Sequence, residues 1–224
     1  SEGVPLYQKF ARIAGTKAER FPRLTINLFS GGRHAGKQVA IQDVLIVPSS
    51  PGSINDSLVM MSNIYLSAAE LAEKKYGMRL LTADEGGLAP PFENAKAMLD
   101  TAIEAITLAG YEPGKDVHLA LDVASSHFYY QGKYHLDGRT LDSRQMIDHL
   151  EEWCNLYPIA SIEDGLYEDD WEFWPELNER LGKRILILGD DLLCTNPERI
   201  KEAIKLNACN ALLLKVNQIG TLSE

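Results

Sequence analysis

The sequence predicts an α/β fold in which a parallel sheet is covered by helices, and three observations lead there. From residue 117 onward, four short apolar runs, Val117–Ser125, Pro158–Asp164, Ile185–Asp191 and Ala211–Gln218, alternate with helical patterns. The runs are continuously apolar rather than alternating, which marks strands buried on both faces. In each, the apolar stretch (HLAL, IASI, ILILG, ALLL) is followed by an ionisable residue: Asp122, Glu163, Asp190 and Lys215. An open doubly wound sheet and a closed β/α (TIM-like) barrel share the first two features. The third favours the barrel, whose chemistry gathers at the carboxyl ends of its strands.

Taken in order, Val4–Ala14 reads as a helix stopped by Gly15, and Leu24–Phe29 and Ile41–Val47 read as strands. Between those strands lies GGRHAGKQ, Gly31 to Gln38, one residue short of a phosphate-binding loop. Gln38 replaces the hydroxyl that such a loop needs, and a β-branched run follows where a helix N-terminus would have to meet the phosphates. Lys37 is therefore expected to be a solvated charge. The pattern over Ile54–Tyr76 predicts a long helix with Leu58, Met61, Tyr65, Ala68, Ala69 and Ala72 on one face and Gly77 as its stop. A second helix is predicted over Phe92–Ala109, and an aromatic hairpin over Phe128–Gly138. Helices at Ser143–Leu156, Asp170–Leu181 and Pro197–Leu206 then separate the apolar runs, with Glu168-Asp169-Asp170 as a solvated helix start and Trp171 and Trp174 as packing residues.

Composition narrows the function. The 224 residues are 45% hydrophobic and 24% charged, ordinary for a globular chain. A net charge of −10 argues against a nucleic-acid backbone or an anionic lipid surface as partner. No apolar run approaches a membrane span, and SEGVPLYQKF is not a signal peptide. Cys154, Cys194 and Cys209 are widely spaced and read as buried, inert thiols of a reducing cytoplasm.

Three carboxylates converging in a cleft of low dielectric repel one another and lose hydration, so they take up protons unless a cation joins them. An all-oxygen set favours a hard divalent ion such as magnesium. A lysine facing that ion has its pKa lowered and becomes available as a base.

At this point the motifs resemble those of the enolase family. SIED (Ser161–Asp164) with EDDW (Glu168–Trp171), GDDLLCTNP (Gly189–Pro197) and ALLLKVNQIGT (Ala211–Thr221) match three of its signature blocks. DEGGLAP (Asp84–Pro90), LDVASSHFY (Leu121–Tyr129) and GGRHAG (Gly31–Gly36) match three more, all in the family's order. The resemblance implies a barrel of the enolase type and reversible dehydration of 2-phosphoglycerate to phosphoenolpyruvate. By the same resemblance Lys215 is the base and Glu85 the acid that protonates the departing hydroxide. Asp122, Glu163 and Asp190 hold magnesium, the latter two also facing the substrate. His34, Gln42 and Asp43 line the substrate pocket, His34 on a flexible loop that folds over it. A small phosphorylated hydroxy acid as partner, a homodimer and a cytoplasmic location are implied as well.

The chain departs from the family pattern at four places: Asp43 stands for a glutamate, Ser30 for an asparagine, His127 for a glutamate and Gly165 for a proline, the last expected to loosen the loop after Glu163. These leave two further readings open, an enolase-derived binding or structural protein and a dehydratase of another hydroxy acid. Asp191 is expected to support its neighbour Asp190. Residues 1–224 correspond to part of the family's C-terminal barrel, without its N-terminal domain or last strands. The expectation is a piece of a longer chain, inactive alone.

Overall fold

The computed structural model describes residues 3–19, 21–78 and 81–221. Helix α1 (Leu6–Ala14) buries none of its residues and ends at Gly15, whose φ of 65° breaks the helix. Strands β1 (Ile26–Ser30) and β2 (Asp43–Pro48) follow, joined through a single 3-10 turn at Gly32–Ala35. Two helices come next, α2 (Ile54–Tyr76) and α3 (Ala95–Leu108). Ser53 caps α2 by accepting the Asp56 N–H at 3.1 Å, and Asn94 caps α3 by accepting that of Ala97 at 2.9 Å. The cap at Asn94 is why α3 begins three residues later than its apolar pattern does. Of the expected face of α2, Met61, Ala68 and Ala72 are buried, whereas Leu58 points to solvent and Ile64 and Leu71 complete the stripe.

Strand β3 (Val117–Asp122) leads into a small three-stranded sheet of β4 (Tyr129–Tyr130), β5 (Lys133–Leu136) and β6 (Arg139–Leu141). Its turns place Gln131-Gly132 and Asp137-Gly138 at positive φ, the pairing that tight hairpins require. The chain then alternates: α4 (Ser143–Leu156), β7 (Ile159–Glu163), α5 (Trp174–Leu181), β8 (Leu186–Gly189), α6 (Pro197–Leu206), β9 (Ala211–Leu212) and the short α7 (Val216–Ile219). Asp142 and Gln145 form a reciprocal capping box at the start of α4.

The main sheet has the order β1-β2-β3-β7-β8-β9. Strands β3, β7, β8 and β9 run parallel, as expected, but β1–β2 and β2–β3 are antiparallel. The short loop from β1 to β2 holds no helix that could cross the sheet, so the second strand must reverse. Along each strand one set of side chains packs under the helices and the other faces inward. Val44, Ile46, Ile162 and Ile187 are fully buried, while Leu45, Ser161, Glu163, Leu186 and Leu188 line a cavity on the other face. This is an α/β structure of the barrel type.

Three sequence expectations need correction. The helix expected from Asp170 starts at Trp174, and Asp170 is half-buried and bonded rather than freely solvated. Its Oδ2 accepts the Tyr134 hydroxyl at 2.7 Å and the Ser143 hydroxyl at 2.6 Å, tying the loop after β7 to the small sheet. Gly165 does not loosen that loop: it is buried, and an added Cβ would lie 3.0–3.2 Å from Leu150, Ile162 and Leu177. Gly165→Ala is accordingly expected to destabilise the fold by about 1–3 kcal/mol through overpacking, read as a lower midpoint in urea unfolding. Finally, all three cysteines are free and Cys154 is buried, but Cys194 is exposed on the loop after β8. No helix among the described residues is long and apolar enough to cross a membrane.

Candidate active site

The sheet register aligns the functional positions into a row. Ser30 at the end of β1 pairs with Asp43 at the start of β2, Asp43 pairs with Asp122 at the end of β3, and Asp122 pairs with Glu163 at the end of β7. Because β2 is antiparallel, its first residue lies at the same edge as the last residues of β3 and β7. Asp190 follows β8 directly, and Lys215 follows β9 after a short extended segment. His34, Gln42, Asp43, Glu85, Asp122, Glu163 and Lys215 all border one cavity of about 360 Å³.

Specific bonds hold these groups. Gln42 Nε2 donates to Asp122 Oδ2 at 2.9 Å. Asn27 Nδ2 donates to Glu85 Oε2 at 3.0 Å. Asp43 receives the Ser30 hydroxyl at 2.5 Å and faces His34 Nδ1 at 3.2 Å. Lys215 Nζ donates to Asp190 Oδ2, and Gln218 Nε2 donates to Asp190 Oδ1 at 3.1 Å.

Asp164 was not among the residues singled out from the sequence. It has a positive φ of 45°, and its buried carboxylate accepts three backbone N–H groups from the loop after β8. Those of Asp190 (3.1 Å) and Leu192 (3.4 Å) meet Oδ1, and that of Asp191 (2.7 Å) meets Oδ2. Asp164 thus fastens the end of β7 to the loop that presents Asp190. Asp191, expected to support its neighbour, contributes its backbone N–H to this clamp. The one available signal for Asp164 was its place beside Glu163 at the end of an apolar run.

Ligand atoms of Asp122, Glu163 and Asp164 lie within 4.8 Å of one another, as do those of Asp164, Asp190 and Asp191. Asp190 does not join Asp122 and Glu163 in one such set among the described residues, and Lys215 and Gln218 engage both its oxygens. Burial and the neighbouring carboxylates push Asp122 and Glu163 well above the usual carboxylate range. Burial also raises Asp164 to about 7 and Asp43 to about 6. Asp122 Oδ1 and Gln42 Oε1 are buried without a hydrogen-bond partner among the described residues. Orphaned acceptors amid crowded, all-oxygen donors fit a hard divalent cation. Asp122, Glu163 and Asp190 offer carboxylate oxygens at neighbouring strand ends, and Asp164, whose oxygens accept backbone N–H groups, lies among them.

This arrangement predicts a pH dependence of stability. Carboxylates whose folded pKa is raised bind protons in the folded state that the unfolded chain has released, so their stabilisation is lost as pH rises through the folded pKa. Without divalent cations the melting temperature is expected to fall as pH rises through about 6 for Asp43 and about 7 for Asp164. A divalent cation that binds these carboxylates would raise it most at the alkaline end, since bound cations replace those protons. Thermal melts across pH, with and without magnesium, check both trends.

Strand-end carboxylates facing a lysine across one cavity, on a sheet backed by helices, define a β/α-barrel domain with an acidic, cation-compatible site. The family described as Enolase, C-terminal TIM barrel domain matches residues 19–224, and the chain belongs to that family.

Proposed function

We propose that the protein is a hydro-lyase that reversibly dehydrates 2-phosphoglycerate to phosphoenolpyruvate with magnesium, in the cytoplasm and as a homodimer. The observation behind this reading is that Lys215 and Glu85 border the same cavity as Asp122 and Glu163, so a base, an acid and a cation-binding centre share one volume. In that volume the Lys215 amine takes the proton from the carbon beside the substrate carboxylate. Glu85, held by Asn27, gives a proton to the departing hydroxide. Asp122, Glu163 and Asp190 would hold magnesium, with Asp164 beside them. When bound, the ion stabilises the charge that develops on the substrate carboxylate. His34 and Gln42 orient the substrate.

Lys215 must be neutral to act. Burial lowers its pKa, but the hydrogen bond and charge of Asp190, with the charges of Glu163 and Asp122, raise it above the ordinary value overall. Lys215 becomes a base only when the Asp190 oxygens are engaged elsewhere. The test is phosphoenolpyruvate formation from 2-phosphoglycerate by the intact natural protein, with and without magnesium. Magnesium-dependent turnover supports the reading, and folded, magnesium-bound protein without turnover removes it.

A further inference from the structure

Two of the positions at which the chain departs from the family pattern, Ser30 and Asp43, touch each other. The Ser30 hydroxyl donates to Asp43 Oδ1 at 2.5 Å, and His34 Nδ1 lies 3.2 Å from Asp43 Oδ2. Both carboxylate oxygens are therefore engaged within the protein, and Asp43 is only 1% exposed although it borders the cavity. Ser30 is itself fixed. Its N–H donates to the Leu88 carbonyl at 2.8 Å, and an added Cβ on Gly87 would fall 2.2 Å from the Ser30 hydroxyl. The hydroxyl thus fills the space between Asp43 and the loop that carries Glu85. His34 is more open, with a quarter of its side chain exposed, and no described residue bonds its Nε2.

We propose that Ser30, Asp43 and His34 form a hydrogen-bonded relay in which Asp43 is a positioning residue. It acts through His34 and does not contact the substrate. A carboxylate that accepts from Ser30 at one oxygen accepts Nδ1–H from His34 at the other. That fixes the imidazole orientation and leaves unprotonated Nε2 facing the cavity, ready to accept a hydrogen bond or a proton from a hydroxyl or acidic group of the ligand. The shorter side chain at position 43 and the small hydroxyl at position 30 thereby work as one unit. The proposal rests on the hydro-lyase reading for the reaction it serves, but the relay itself is a property of three side chains.

The first measurement is the His34 tautomer, from long-range 1H–15N NMR of the intact natural protein at a pH where the spectrum shows the ring neutral. The signal is assigned by its loss in His34→Ala. A predominant Nδ1–H tautomer, with its nitrogen shifts changed in Asp43→Asn, supports the relay, and a predominant Nε2–H tautomer overturns it. The second is a double-mutant cycle on kcat/KM. Asp43→Asn alone is expected to cost about a hundredfold through misplacement, and Ser30→Ala about tenfold through the lost hydrogen bond. In a His34→Ala background Asp43→Asn should cost nothing further, because its partner is gone. Losses that multiply instead show Asp43 acting on the substrate directly and overturn the proposal. Should the natural protein form no phosphoenolpyruvate, the hydro-lyase reading fails while the tautomer still decides the relay.

Discussion

Lys215→Ala is expected to lower magnesium-dependent turnover of 2-phosphoglycerate by about 10²–10⁴, the range a positioned proton-transfer group supplies. The loss should fall on kcat, while magnesium affinity stays the same or improves. Lys215 occupies one oxygen of Asp190, so its removal frees a candidate ligand. A merely structural lysine would give the opposite pattern, with weaker metal binding and a small change in kcat. Lys215→Arg sharpens the test. It preserves the positive charge and the ion pair with Asp190, yet a guanidinium does not release its proton at working pH. Both variants should show that loss if Lys215 is the base. Substantial activity in Lys215→Arg would show that charge alone is needed and would exclude a proton-abstracting role.

Asp164→Asn carries the second large effect, on metal binding. The wild-type carboxylate gathers three N–H donors from residues 190–192, and asparagine offers one oxygen in place of two. Its amide group would point N–H toward N–H, at Asp191 or at Asp190 and Leu192, leaving buried donors unmet. Asparagine tolerates the left-handed backbone that Asp164 adopts, so the substitution isolates the loss of the acceptor from backbone strain. Loss of a group that orients metal ligands costs about 10–100-fold in affinity. Magnesium titration followed by calorimetry or protection against thermal unfolding should show that weakening. The melting temperature without magnesium should fall as well. Unchanged affinity would mean that the loop after β8 holds Asp190 in place without the clamp.

What the sequence by itself determined is what local chemistry dictates. Apolar spacing and terminal caps placed α2, α4 and α6 at Ile54–Tyr76, Ser143–Leu156 and Pro197–Leu206. Continuous apolar runs located the parallel strands, and three of the residues at their carboxyl ends, Asp122, Glu163 and Lys215, meet at the cavity, because parallel strands point those ends the same way. Tertiary structure alone decided the rest. The reversal of β2, which brings Asp43 opposite Asp122, depends on how short the preceding connection is in space. Asp170 looked solvated until the small sheet supplied Tyr134 and helix α4 supplied Ser143. Asp164 looked like an echo of Glu163, and its work lies with backbone donors from the next β-α unit. Ser30 and Asp43 read as separate departures from a pattern, yet they are bonded partners across a strand pair. In each case the deciding contact joins residues far apart in the chain, and periodicity, capping and composition encode only neighbours.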